Sequence, residues 1–256
     1  MTRSVRTELL KLRTIRLPLG LLATAAGLTA LVTILGAATG GGGHGGRHMA
    51  APPLNTAAGL QAMLTRTGFG MLMAAVLGVT VVRGEFRHGT ATATYLATPD
   101  RVRVLIAKAM AAAGAGLTFG LVAAGLSTGI SLTFVAAKGY QVALAWGTIA
   151  RFGAGAILGS GLLAAVGVSL GALFRSQIAA IVTVFAWALV VEQIIGGLFD
   201  AAQPYLPYTA ATTMAGATLG GGTSPLPFAA AAALVAGAAA LVSAVAARTT
   251  VQADVS

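Results

Sequence analysis

Gly125-Leu-Ser127-Thr-Gly129 has the Gly-x-Ser-x-Gly spelling of a nucleophile elbow. That motif needs a strand-to-helix turn to expose the serine, and a base within hydrogen-bond reach. Here it lies inside an apolar run of helical character, and the three histidines, His44, His48 and His88, all fall in polar connecting segments. Ser127 is therefore expected to be a hydroxyl that packs one helix on another. His44 and His48 are four residues apart, a spacing that suits a metal on a helix. The glycines of GGGGHGGRHMAAPP oppose such a helix, and no Cys, Asp or Glu nearby completes a ligand set, so no metal is expected. The same glycines do not make a phosphate-binding loop. That loop ends in Gly-Lys-Ser/Thr, and none of Lys11, Lys108 and Lys138 follows a glycine.

Two features keep their chemical interest. Glu192 is the one acid deep within an apolar run, and an intramembrane carboxylate is a candidate proton site or partner of a cation. Arg66 and Arg151, which also interrupt apolar runs, are the candidate cations; alternatively Glu192 makes a structural contact between helices, Arg151 snorkels, and Arg66 snorkels, faces the bundle or lines a wet cavity, with snorkelling the first expectation. The second feature is Arg83–Lys108, RGEFRHGTATATYLATPDRVRVLIAK, which holds five of the sixteen Lys/Arg residues and two of the six acids. Ionised groups are costly in hydrocarbon, so this segment requires water or a protein partner. It is the expected docking surface.

The elements that must position these residues follow from composition. The chain is 57% hydrophobic and only 9% charged over 256 residues, far from the quarter charged of a soluble domain. Uncharged runs of about 20 residues match the bilayer core, and they are continuous rather than alternating as in a β-barrel. The fold class is all-α and polytopic, a single membrane domain with spans expected at 17–38, 60–82, 107–137, 146–173, 177–199 and 226–247. Residues 1–16 form an expected amphipathic helix on the membrane surface. Val5, Leu9 and Leu12 share its apolar face, and Arg6, Lys11 and Arg13 reach for headgroups. The Gly, Pro and Thr content of 200–225 predicts short re-entrant or interfacial helices.

Net charge is +10, which could suggest nucleic acid, but the basic residues gather in flanks and loops. Twelve of the sixteen lie in 1–16, 83–108, Arg175 and Arg248, on one side of the expected topology, with Arg47, Arg66, Lys138 and Arg151 on the other. That asymmetry places both termini in the cytoplasm. The absence of cysteine excludes a disulfide framework, thiolate metal sites and a catalytic thiol. Glycine pairs at four-residue spacing, Gly116 with Gly120, Gly155 with Gly159 and Gly167 with Gly171, predict a tight bundle.

Glu8-x-x-Lys-Leu-Arg-Thr stands before the first span, Gly84-Glu-Phe-Arg-His-Gly-Thr90 after the second, and then Leu96-Ala-Thr-Pro99, Arg101 and Lys108. This order of parts resembles the permease subunits of type-2 ABC transporters of bacterial export systems, and the likeness covers nearly the whole chain. The resemblance implies a chain that is not itself an enzyme and binds no cofactor. ATP and Mg would belong to a separate cytoplasmic ATPase, and a second permease copy, more readily an identical one, would complete the pathway. It further implies that residues 83–103 couple the spans to the ATPase through Glu85, Arg87, His88, Gly89 and Thr90, with Pro99 and Arg101 at the exit, and that the protein resides in the bacterial plasma membrane. Two other classes remain: a proton-coupled secondary transporter using Glu192, and a non-transporting scaffold or sensor subunit.

Overall fold

The computed structural model describes residues 16–39, 52–87, 101–220 and 222–248. Arg6, Lys11, Arg13, His44, His48, His88, Gly89, Thr90 and Pro99 lie outside the described residues. Among those described the chain is helical throughout, without a strand, and six helical segments are long and apolar enough to cross a membrane. This is a multi-pass membrane architecture.

Helix α1 (Leu17–Thr39) carries Pro18 in its first turn, where the missing N–H leaves no helical bond unmade. The second span is two helices, α2 (Ala57–Leu64) and α3 (Gly68–Arg87), separated by a turn at Thr65–Thr67. Thr56 opens α2, its hydroxyl accepting from the Gly59 amide at 3.1 Å. A broken helix at membrane depth must satisfy its freed carbonyls internally. Ser127 does so, its Oγ lying 3.1 Å from Met63 O and 2.8 Å from Leu64 O. The hydroxyl of the apparent nucleophile elbow thus ties α4 to the break.

Helix α4 (Arg101–Ala137) starts six residues before the expected span and runs for 37 residues, about 55 Å at 1.5 Å per residue. That exceeds a hydrocarbon core of roughly 30 Å. Helix α5 (Trp146–Leu173) is next, and then a continuous span assembled from α6 (Gln177–Ala186), a π-helical turn (Trp187–Val191) and α7 (Glu192–Leu198). A 3₁₀ turn (Asp200–Tyr205) leads into the short α8 (Pro207–Met214), and α9 (Phe228–Ala246) is the last span.

The bundle is built around α5, which packs on α3, α4, α8 and α9. Each predicted glycine pair seats a particular neighbour. A Cβ on Gly116 would come within 2.7 Å of Ser160 O, and one on Gly120 within 2.5 Å of Ala156 O, so α4 and α5 touch backbone to backbone. Gly167 and Gly171 meet Ala75 O and Val79 O of α3 in the same way, and Gly155 meets Met214 O of α8. Such close approach supplies the packing that association in lipid relies on. Ser169 adds a polar contact to α9, donating to Ala239 O at 2.9 Å and lying 2.6 Å from Ser243 Oγ.

The outer helices are different. Only about a fifth of the span containing α6 and α7, and of α9, is fully buried. Ile178, Leu198 and Leu241 are among the exposed large side chains. In a membrane chain these faces meet lipid or another subunit.

Candidate functional site

Two places bring together the residues singled out by type. The first is the bundle end where α3 finishes and α4 begins. Glu85 and Arg87 lie in the last turn of α3, and Arg101 is the first residue of α4. The two helices pack against one another, with Val82 and Leu105 in one apolar cluster near these ends. Leu17 of α1, Leu173 of α5, Gln177 of α6 and Ala246 of α9 mark the same end.

Arg83 and Lys108, counted with this segment from the sequence, have another role. Arg83 Nε donates to Gly171 O at 2.6 Å and Nη1 to Arg175 O at 3.2 Å. Its guanidinium thereby satisfies carbonyls at the C-terminus of α5 and in the connection to α6, where a cation also suits the helix dipole. Lys108 is 3% exposed and engaged within the fold. It belongs to the bundle interior and not to a docking surface, which Arg103, exposed on the first turn of α4, can still join.

The second place is Glu192. It is 1% exposed, and its carboxylate accepts four hydrogen bonds. Oε1 receives Trp187 Nε1 and Tyr208 N, both at 2.8 Å; Oε2 receives Thr209 N at 2.7 Å and Thr209 Oγ1 at 2.8 Å. The amides of Tyr208 and Thr209 are in the first turn of α8, just after Pro207, where helical geometry provides them no acceptor. Glu192 caps that helix from another element. The π turn before it contributes, because an inserted residue rotates the next helical segment by about 100°. That rotation sets the face on which Glu192 projects. An ionised carboxylate is acceptor-only, and four donors suit it.

Neither expected cation is its partner. Arg66, in the turn between α2 and α3, donates from Nη1 to Val32 O at 3.2 Å and lies over Gly36, both on α1. It faces the bundle instead of snorkelling, and its buried Nε has no hydrogen-bond partner. Gly36 makes room for the guanidinium, since a Cβ there would overlap it. Arg151 is exposed near the start of α5. Among the described residues no group of three His, Cys, Asp or Glu residues could hold a metal.

Two contacts escaped sequence reasoning. The Arg83 bond to the end of α5 joins residues 88 apart, and no local pattern announces it. The Glu192–Thr209 bond had a partial signal in Pro207, a good first residue for a helix that then needs an acceptor for its amides. Comparison with known proteins adds nothing to this geometry. No protein-family model matches the chain, and no curated protein does.

Proposed function

We propose that this chain is the membrane-spanning permease subunit of an ATP-driven exporter of the type-2 ABC class, in a bacterial plasma membrane. The observation that carries the reading is the series Glu85, Arg87, His88, Gly89, Thr90, Pro99 and Arg101, set between two helices that pack together at the basic end of the bundle. Six spans would return the chain to the side on which it started, and the excess of Lys and Arg there supports a cytoplasmic placement of that side.

In this reading a separate ATPase binds ATP and Mg and docks on the loop between α3 and α4. Its closure pushes on that loop, and α3 transmits the push because it is a central helix, seated by backbone contact on α5. A second copy of the chain completes the pathway, and the two halves exchange inward and outward openings. The apolar, small-residue walls favour a hydrophobic or amphipathic cargo. Glu192 then has a structural part, fixing α8 to the span on the outward side.

The test is affinity purification of the tagged protein from its native membranes in mild detergent, with mass spectrometry of what co-elutes. A stoichiometric ATPase subunit, lost when Glu85 and Arg87 are replaced by Ala, is the expected result. Purification without an ATPase, under conditions that keep other membrane complexes intact, refutes the proposal. Flux that survives ATP depletion but collapses with a protonophore assigns the chain to the proton-coupled class instead.

A further inference from the structure

Between α6 and α9, which flank α5, lies a crevice of about 300 Å³. Leu163, Val166 and Leu170 of α5 form its wall, with Leu72 and Ala75 of α3 behind; Trp187 and Tyr208 stand at one end and Phe174 at the other. From Leu163 to Phe174 it runs along α5 for about 16 Å at 1.5 Å per residue. It is therefore long, narrow and aligned with the spans.

Its chemistry is hydrocarbon. Thr183, which lines it, donates its hydroxyl to Ala179 O at 2.9 Å, and Trp187 Nε1 is given to Glu192. Water needs two to four polar partners to occupy such a space, and the walls do not present them. An empty crevice loses dispersion contacts along its whole lining. The medium around a multi-pass protein is acyl chains, which match the crevice in shape and polarity.

The Phe174 end is electrically distinct. Arg175 is the next residue and is exposed, and Arg83 holds its backbone carbonyl, fixing a second guanidinium beside the same connection. This end also lies where the chain's basic residues gather. We propose that the crevice holds one acyl chain of an anionic phospholipid, with the phosphate on Arg175 and the chain directed toward Trp187. The inference stands on the membrane architecture alone and does not depend on the transporter reading.

Trp187 makes the occupant measurable, because the chain has two tryptophans and Trp146 lies at the opposite end of α5. The full-length W146F protein is reconstituted in phosphatidylcholine vesicles containing increasing fractions of phosphatidylglycerol or phosphatidylcholine brominated at mid-chain. Expected is Trp187 quenching that is half-maximal at about fivefold less brominated phosphatidylglycerol than brominated phosphatidylcholine, the scale of one arginine at an anionic membrane surface. Arg175→Ala, a change at an exposed side chain, abolishes that preference. Ala238→Phe, which fills the crevice from α9, lowers maximal quenching, and Val242→Phe serves if the first variant does not fold. Equal quenching by both lipids overturns the proposal, since Trp187 is 44% exposed and would then meet only surrounding lipid. A preference unchanged by Arg175→Ala also overturns it. So does an absence of quenching by either lipid, which would mean that a second copy or a non-lipid ligand occupies the crevice.

Discussion

Replacing Glu192 with Ala strips the acceptor from four donors at once. Thr209 Oγ1 can turn to a backbone carbonyl, as Thr212 and Thr213 do in the same helix. The amides of Tyr208 and Thr209 have no such freedom, because they open α8 and point away from its own carbonyls. A buried donor left unmade costs about 1–3 kcal/mol, so two together cost about 3 kcal/mol or more. The loss falls on α8 and not on the whole bundle, because α5 and α9 still hold that helix from the side. At 1.4 kcal/mol per decade, local opening of α8 should become about a hundredfold more frequent. Hydrogen exchange read by mass spectrometry on peptides covering 206–214 reports this directly, in detergent at fixed pH. Glu192→Gln keeps one carbonyl oxygen and should fall between the two, with a rise of about tenfold. The reasoning is refuted if Glu192→Ala leaves exchange in 206–214 unchanged while Trp187 fluorescence shows that the indole has lost its partner. In that case α8 would be held by its flanks alone.

Other substitutions examine separate contacts. Gly167→Ala places a methyl group against Ala75 O and should cost about 1–3 kcal/mol by overpacking, seen as a lower unfolding midpoint by tryptophan fluorescence. Gly147→Ala, at a position with open space around it, should leave that midpoint unchanged or slightly raised. Arg83→Ala frees the carbonyls of Gly171 and Arg175 and should cost about 1.5–3 kcal/mol. Arg83→Lys should recover only part, because a single ammonium replaces a fork; exchange at 171–177 distinguishes the three proteins. Ser127→Ala removes the hydroxyl from the end of α2 and should cost about 1 kcal/mol, with faster exchange at 63–67.

The spans were legible because continuous apolar runs of bilayer length have few alternatives in a chain this size. The glycine pairs announced close packing, yet spacing alone could not say that Gly116 seats α4 on α5 while Gly155 seats α8. The break at Thr65–Thr67 was hidden because the residues on both sides are equally apolar. Its support, Ser127, is 63 residues from Leu64. Arg66 was expected to snorkel because hydropathy records the cost of a charge and not the room made for it by Gly36. Helix α4 begins six residues before the expected span for a related reason. Hydropathy falls at the charges of Arg101 and Arg103, but backbone helicity has no need to stop where lipid does. Glu192 was flagged by burial cost alone. Its partners lie beyond a π turn and a 3₁₀ turn, which leave no periodicity to read.

The glycine contacts around α5 also say which parts of this protein can move. Where a side chain separates two helices, a change of rotamer lets one slide over the other. Where Gly167 and Gly171 of α5 meet α3 there is no such cushion, because each rests on a backbone carbonyl, of Ala75 and Val79. Carbonyl against Cα has no second rotamer to adopt. The central helices therefore behave as a single gear, and a displacement applied at the α3–α4 loop must turn the block as a whole. Compliance is left to the perimeter, in α1, α6 with α7, and α9.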